Sequence, residues 1–545
     1  MRTASPPRPP RAAGLSRSLA FALALALAPA SLAVAQSASE SLPAMGSSAA
    51  MRITPADEAR FGAMVLRELR RQELILDDPL IDAWLQGVGF RVAAASDEPD
   101  HGYTFFMLRD RRINAFATLG GLIGMNAGLV LAAEREAEVA GVLAHEVAHV
   151  TQRHVLRAME RAQQNQLPVM LAMLGAVAAA SQSDARNSGD AMSAAVVGAQ
   201  ALMLQMQINH TRSNEAEADR IGIETLARAG FDPLGIADFF GRLARVSRGN
   251  SAGWQVPEYL RTHPVTTTRI AEARDRAEQI ARKPPPPLLR RQDDGHLLLP
   301  PGLHPEGDVR KIDDFAWARE RLRVLSAASP RDAVAEYEAA EARRGSPAQR
   351  YGLGLALLRD GRGNEALAVL DALQREMPDQ LWVRLAAAEA THEAGLSEEA
   401  ERRFEALLAD YPEHRAVSLA FAETLNARGT AVAGRRALAL LRPMLAKAPG
   451  DLLLQQRFGR AAELAGEPNR AAEAHAEAAF LAGRAEDALN QFNRLKQRED
   501  VDYVQRARVE ARIAELMPVV LEMRRLGFRP QDGGRPRPGS SRSGS

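Results

Sequence analysis

G-V-L-A-H-E-V-A-H-V-T-Q-R-H, residues 141–154, holds His145, Glu146 and His149 in the order H-E-x-x-H. Residues four apart share one face of a helix, so both imidazoles reach a single metal ion with Glu146 beside them. Zinc suits that arrangement, because it polarises a peptide carbonyl and lowers the pKa of a bound water. Glu146 is then placed to take the proton of that water and pass it to a leaving amine. Leu143, Val147 and Val150 give the helix an apolar side, while Ala144 and Ala148 let neighbours approach. The pattern predicts one helix over 134–155, with Glu134, Glu136 and Glu138 near its positive end.

Working upstream, T-P-A-D-E at Thr54 starts a helix expected over 55–76, and a second is expected over 79–94. Short apolar runs at 103–108 and 113–118 read as strands, split by a turn at Asp110-Arg111 and followed by Gly120-Gly121. The run 123–130 continues the apolar material.

Two histidines leave zinc short of a ligand. His154, nine residues after His145, is expected to point away from the motif's face and to be structural. A carboxylate from another helix is the usual completion. Glu215 and Asp219 are four apart, which allows Glu215 to ligate while Asp219 braces a histidine through its other ring nitrogen. Spacing alone leaves His210, Glu217 and Glu224 open as alternatives, although Glu217 is expected to point elsewhere. Gly222 follows on the same stretch. A further helix is expected over 233–245. In H-P-V-T-T-T-R, Pro264 fixes the chain after His263, and Arg269 suits an acid such as Asp219. Three roles stand open for His263: packing at a helix entrance, stabilising an oxyanion, or filling the open zinc position as a latch.

Composition bounds the setting. The chain has 545 residues, 46% hydrophobic and 25% charged, which fits a globular protein of two or three domains. Residues 1–35 read as a cleaved signal peptide: Arg2, Arg8, Arg11 and Arg17, an apolar run over 19–28, then Ala33-Val34-Ala35. Four arginines and no acids leave with it, so 69 basic against 68 acidic residues becomes 65 against 68. A formal charge of −3 calls for no nucleic-acid partner. Cysteines number 0, which suits an oxidising compartment, excludes a lipoprotein anchor, and leaves histidines and acids as the metal ligands. The apolar stretches 168–180 and 191–206 read as two packed helices, with peripheral membrane contact or a substrate clamp as the alternative.

A proline-rich linker is expected over 283–305. Beyond it, Ala366, Leu370 and Pro378 recur as Ala400, Phe404 and Pro412 at a displacement of 34 residues. Ala437, Leu441 and Pro449 follow at 37, with an insertion near Thr430 to Gly434. This is a tetratricopeptide period, in which each helix pair completes a core with its neighbours. An all-α solenoid is expected over 306–510, and a disordered tail over 529–545.

The linked motifs resemble the HtpX and CAAX-prenyl-protease superfamily of zinc peptidases, peptidase family M48, over roughly Ile53 to Glu278. There H-E-x-x-H is followed at a distance by E-x-x-x-D, here His145, Glu146, His149, Glu215 and Asp219. The resemblance implies that Glu215 is the third ligand of one Zn2+ per chain. N-A-F-A-T-L-G-G, Asn114 to Gly121, resembles the strand before the zinc helix, so Asn114, Ala115, Phe116, Ala117 and Thr118 are expected to pair with an extended peptide. Arg153-His154 also matches, and the His263 segment resembles the one that closes such domains. The implied fold is an α+β zincin-like metallopeptidase domain, mostly helical, over 50–282. The whole layout is similar to the BepA (YfgC) type, whose members are periplasmic in Gram-negative cells. It implies proteolysis and chaperone-like work on unfolded or stalled outer-membrane β-barrel proteins, near the barrel-assembly machinery and the lipopolysaccharide-export barrel. The rival reading is a repeat scaffold or chaperone with a latent metal centre.

Overall fold

Two capped helices open the folded chain. Thr54 accepts from the Asp57 N–H at 3.2 Å, and the Asp57 carboxylate accepts from the Thr54 N–H in return, closing a capping box on α1 (Pro55–Arg71). The helix stops short of its expected end because Gln72 leaves the helical range and Glu73 turns left-handed at φ 56°. Asp78 caps α2 (Pro79–Ala93) by accepting from the Ile81 N–H at 3.1 Å. The computed structural model describes residues 53–161, 211–249, 258–283, 314–340 and 342–525. The leader, 168–206, His210, the linker beyond Lys283 and the tail lie outside the described residues. All described residues belong to one compact unit, Ser47–Ser545.

Three short strands follow: β1 (Thr104–Leu108), β2 (Ala115–Thr118) and β3 (Leu122–Asn126), in the order β1-β3-β2. β3 runs parallel to β1 and antiparallel to β2, with Ala117 opposite Ile123. The tight β2–β3 connection needs Gly120 and Gly121, which stand at φ 76° and 69°; a Cβ at Gly120 would lie 2.4 Å from the Glu58 carbonyl oxygen. The apolar run expected over 123–130 is divided, half in β3 and half in the short helix α3 (Ala127–Ala132).

The helix expected over 134–155 is shorter. α4 (Glu136–Thr151) ends where Gln152 leaves helical geometry and Arg153 takes φ 52°, and a separate helix, α5, covers 154–161. α4 is more than one-sided. Every residue from Glu138 to Ala148 is buried, because α2 and the sheet cover one flank and the later helices the other. Those are α6 (residues 211–228), α7 (Gly235–Gly249), α8 (Glu258–Thr262) and α9 (Thr267–Arg282). This mixed sheet with its helices is a metallopeptidase-like core.

A long helical solenoid follows. Its pairs are α10 (Phe315–Leu325) with α11 (Pro330–Ala339), α12 (Pro347–Arg359) with α13 (Gly363–Glu376), and α14 (Leu381–Glu393) with α15 (Ser397–Asp410). Then come α16 (Arg415–Ala427) with α17 (Ala431–Lys447), α18 (Leu452–Ala465) with α19 (Pro468–Leu481), and α20 (Ala485–Lys496) with α21 (Tyr503–Arg525). The recurring Ala366, Ala400 and Ala437 are fully buried at equivalent places in α13, α15 and α17. The longer second interval has a simple cause: α17 has 17 residues where α13 and α15 have 14.

The solenoid packs on the core at several points. Arg321 on α10 donates to both oxygens of Asp78, at 2.8 and 2.7 Å. Arg415 on α16 lies 3.3 Å from Asp82 on α2. Near the far end, the guanidinium of Arg67 on α1 sits 5.1 Å over the Phe480 ring of α19. Among the described residues, no helix is long and apolar enough to cross a membrane.

Candidate metal centre

The centre forms where α4, α6 and the loop between α8 and α9 meet. α6 can come close only because Gly222 carries no side chain: a Cβ there would stand 3.1 Å from the backbone N and Cα of His145. His145 and His149 project from the same face of α4, with their Nε2 atoms 3.0 Å apart. Glu215 of α6 brings one carboxylate oxygen within 3.4 Å of His145 Nε2 and the other within 3.5 Å of His149 Nε2. His263 closes the group, its Nδ1 3.0 Å from both Glu215 oxygens and 3.4 Å from His145 Nε2. The four residues each offer one ligand atom, and those atoms lie within 4.8 Å of one another.

The His263 loop is held from three sides. Tyr259 stacks on the imidazole at 4.7 Å between centroids, and its N–H donates to the Ile113 carbonyl just ahead of β2. Thr266 caps α9 by accepting from the Arg269 N–H at 3.2 Å. Arg269 donates to both oxygens of Asp219, at 2.7 and 2.8 Å, and to the Pro264 carbonyl at 2.8 Å. Asp219 in turn lies 3.0 Å from His145 Nδ1, the nitrogen turned away from the cluster.

Burial is the largest influence on Glu215 and Asp219 and would raise the pKa of each, and bonds to His145 oppose it at both. His263 adds to the effect at Glu215 and Arg269 at Asp219, so both carboxylates are held below their ordinary range. Burial pushes His149 well below the usual histidine value, with the neighbouring His145 adding to the effect, which leaves it the neutral imidazole a metal needs. Glu146 is 1% exposed and stands outside the four-donor group. Burial raises its pKa against the opposing charges of His263 and His145 and a hydrogen bond from the Ala117 backbone.

Two observations test the fit of a metal. Imidazole nitrogens and a carboxylate oxygen are the donors zinc takes in hydrolytic sites. In addition, Glu146 Oε1 is buried without a hydrogen-bond partner and lies 3.6 Å from His263 Nε2, an acceptor left over beside the donors. The residues fit a metal ion.

β2 is the edge of the sheet and packs against α4. The Asn126 N–H donates to the Asn114 carbonyl at 2.9 Å, which makes 114 and 126 a bonded pair. Bonded pairs alternate in an antiparallel ladder, so Phe116 and Thr118 also spend their backbone groups on β3. Ala115 and Ala117 turn theirs away from β3, where Ala115 is fully buried and the Ala117 backbone bonds the Glu146 carboxylate. A recess between this edge and the end of α4 is lined by Ala117, Thr118, His149, Val150 and Leu156.

Of the alternatives for a third ligand, Glu224 faces Arg220 and Arg276 and stays out of the cluster, and His210 lies outside the described residues. His154 does not point away. The break at Arg153 returns it to His149, with Nδ1 to Nδ1 at 2.7 Å. Glu217 is its second neighbour, 3.1 Å from His154 Nε2. Helix spacing could not foresee either contact, because the helix had ended; the R-H dipeptide in the resemblance was the only signal.

The family profile described as Peptidase family M48 matches residues 79–277. The chain is 35% identical over 351 residues to the putative beta-barrel assembly-enhancing protease of Vibrio cholerae serotype O1, a match spanning 64% of this chain and 66% of that protein. It is 36% identical over 242 residues to the beta-barrel assembly-enhancing protease of Escherichia coli (strain K12), spanning 44% of this chain and 48% of the other. A longer alignment, 28% identical over 482 residues, covers 88% of this chain and 92% of the protein of that name from Yersinia pestis. The first two alignments thus span about two thirds and about half of those relatives. The profile runs from the start of α2 into α9 and takes in every donor of the cluster, and with these relatives it places the chain in peptidase family M48.

Proposed function

We propose that this chain is a periplasmic zinc-dependent endopeptidase that degrades or, as a chaperone, assists misfolded or stalled outer-membrane β-barrel proteins, in contact with the machinery that assembles them. The observation that carries the reading is the convergence of four donors within 4.8 Å beside the buried Glu146. His145, His149 and Glu215 would hold Zn2+, which when bound polarises the scissile carbonyl and acidifies a water. Glu146 takes that water's proton on its spare oxygen and delivers it to the leaving amine; a raised pKa favours holding the proton between the two steps. Asp219 orients His145, and Arg269 keeps Asp219 and the His263 loop together. An extended peptide is read along Asn114 to Thr118, with the half-buried Ala117 the point where the edge is open to it. The client class is supported by the names of the relatives, and capture by a groove in the solenoid. Leu481, Arg470, Arg508, Glu473 and Glu477 line it over the buried rings of Phe458 and Phe492, a mixed polar and apolar surface.

Zinc content and cleavage of an unfolded barrel protein test the proposal together. A chelator should abolish cleavage and added zinc restore it; cleavage indifferent to the chelator would sink the metallopeptidase reading.

His263 is read as a latch in this scheme. Its Nδ1 stands among the donors, which supports ligation at rest over oxyanion stabilisation. His263→Ala is therefore expected to speed cleavage by about tenfold, the gain from releasing a latch closed roughly nine-tenths of the time. A loss of about 10²–10³ would mark His263 as an oxyanion donor instead. Unchanged rates would leave it a packing role.

A further inference from the structure

We propose that His154 and Glu217 form a relay that fixes the tautomer of His149, so that its Nε2 lone pair faces the metal; this rests on His149 being a metal ligand. The chain reaches the arrangement through the left-handed turn at Arg153, φ 52°, which starts α5 at His154 instead of extending α4. His154 is 4% exposed, so its two ring nitrogens must find partners in the protein. Nε2 lies 3.1 Å from Glu217 Oε2, and Nδ1 lies 2.7 Å from His149 Nδ1.

The hydrogens can be assigned from these contacts. A carboxylate only accepts, so the hydrogen of a neutral His154 sits on Nε2 and Nδ1 is left bare. The 2.7 Å contact between two nitrogens needs one hydrogen, and His149 must then supply it from its own Nδ1. That leaves His149 Nε2 as a lone pair, on the side 3.0 Å from His145 Nε2 and 3.5 Å from Glu215. Arg157 holds the far end by donating to the same Glu217 oxygen at 2.7 Å. His145 reaches the same state directly, through Asp219 at its Nδ1. The two histidines are thus braced by acids four residues and two residues beyond Glu215 on one helix, one in contact and one through an intervening ring. An outer partner of this kind sets ring orientation and ligand basicity.

Zinc affinity, measured on the full chain by competition with a chromophoric chelator, reads the relay without relying on activity. His154→Phe keeps the ring shape and removes both bonds; it is expected to weaken zinc by roughly 10–100-fold. His154→Asn offers Oδ1 to the His149 Nδ1–H and should retain most of the affinity. Glu217 is partly exposed, so Glu217→Ala folds more readily and should also weaken zinc. Wild-type affinity in a folded His154→Phe or Glu217→Ala chain overturns the relay. So does an equal loss in His154→Asn and His154→Phe, which would mean packing alone. His149→Ala separates the two levels: if it still binds one zinc with wild-type affinity, the ligand assignment itself falls.

Discussion

Glu146→Gln should lower turnover by about 10²–10⁴-fold, the range a positioned general base supplies, while the chain keeps its zinc. The exchange alters one atom of a buried side chain, so shape and packing stay as they are. An amide, however, cannot take a proton from water. Glu146 is not one of the four clustered donors, and metal content should therefore be unmoved. Single-turnover cleavage of an unfolded polypeptide, run beside elemental analysis for zinc, checks both halves. Retained zinc with lost cleavage assigns the base; undiminished cleavage removes Glu146 from the chemistry. Under the proposed function, the inactive chain should also hold uncut the polypeptides that the active one cleaves, which makes it the form to crosslink.

The second large effect concerns stability. Asp78→Ala should destabilise the chain by about 3–5 kcal/mol, the cost of leaving a buried guanidinium without its counter-charge. Arg321 is 8% exposed, and both Asp78 oxygens accept from it. Its other hydrogen-bond partner is the Tyr351 hydroxyl at 3.1 Å, which is neutral, and Glu389, whose pKa burial pushes up to about 6, acts on it without a hydrogen bond. The same Asp78 oxygen also caps α2, and losing the cap adds to the cost. Urea unfolding gives the measurement. A double replacement, Asp78→Asn with Arg321→Met, should recover much of the loss, since it removes the stranded charge and keeps a capping side chain. A loss below about 1 kcal/mol for Asp78→Ala would mean that water reaches Arg321 and the pair behaves as an exposed one.

How far the chain could be read in advance varied with the distance over which a rule acts. Helical period placed His145 and His149 on one face, and the 34-residue recurrence placed Ala366 and Ala400 in equivalent buried positions. Both are local or repetitive signals. The meeting of Glu215 with the α4 histidines depends on the approach allowed at Gly222, and spacing left it among several choices. His154 was misplaced because helical period was carried past Thr151. Arginine rarely adopts positive φ, so nothing in Gln152-Arg153 announces the turn. Asp78 and Arg321 lie 243 residues apart, and no pattern within either segment points to the other.

The contacts between solenoid and core bear on how the molecule comes apart. A stack of repeats that touch only their neighbours can fray from either end, one unit at a time. Here the first helix is tied through Arg321 to Asp78, a middle one through Arg415 to Asp82, and the penultimate pair through Phe480 to Arg67. The start of the array is thus held, and only the last pair, α20 and α21, lies beyond these ties. Melting is thereby driven toward a single cooperative step, in which the far repeats and the cluster around Glu215 are lost together.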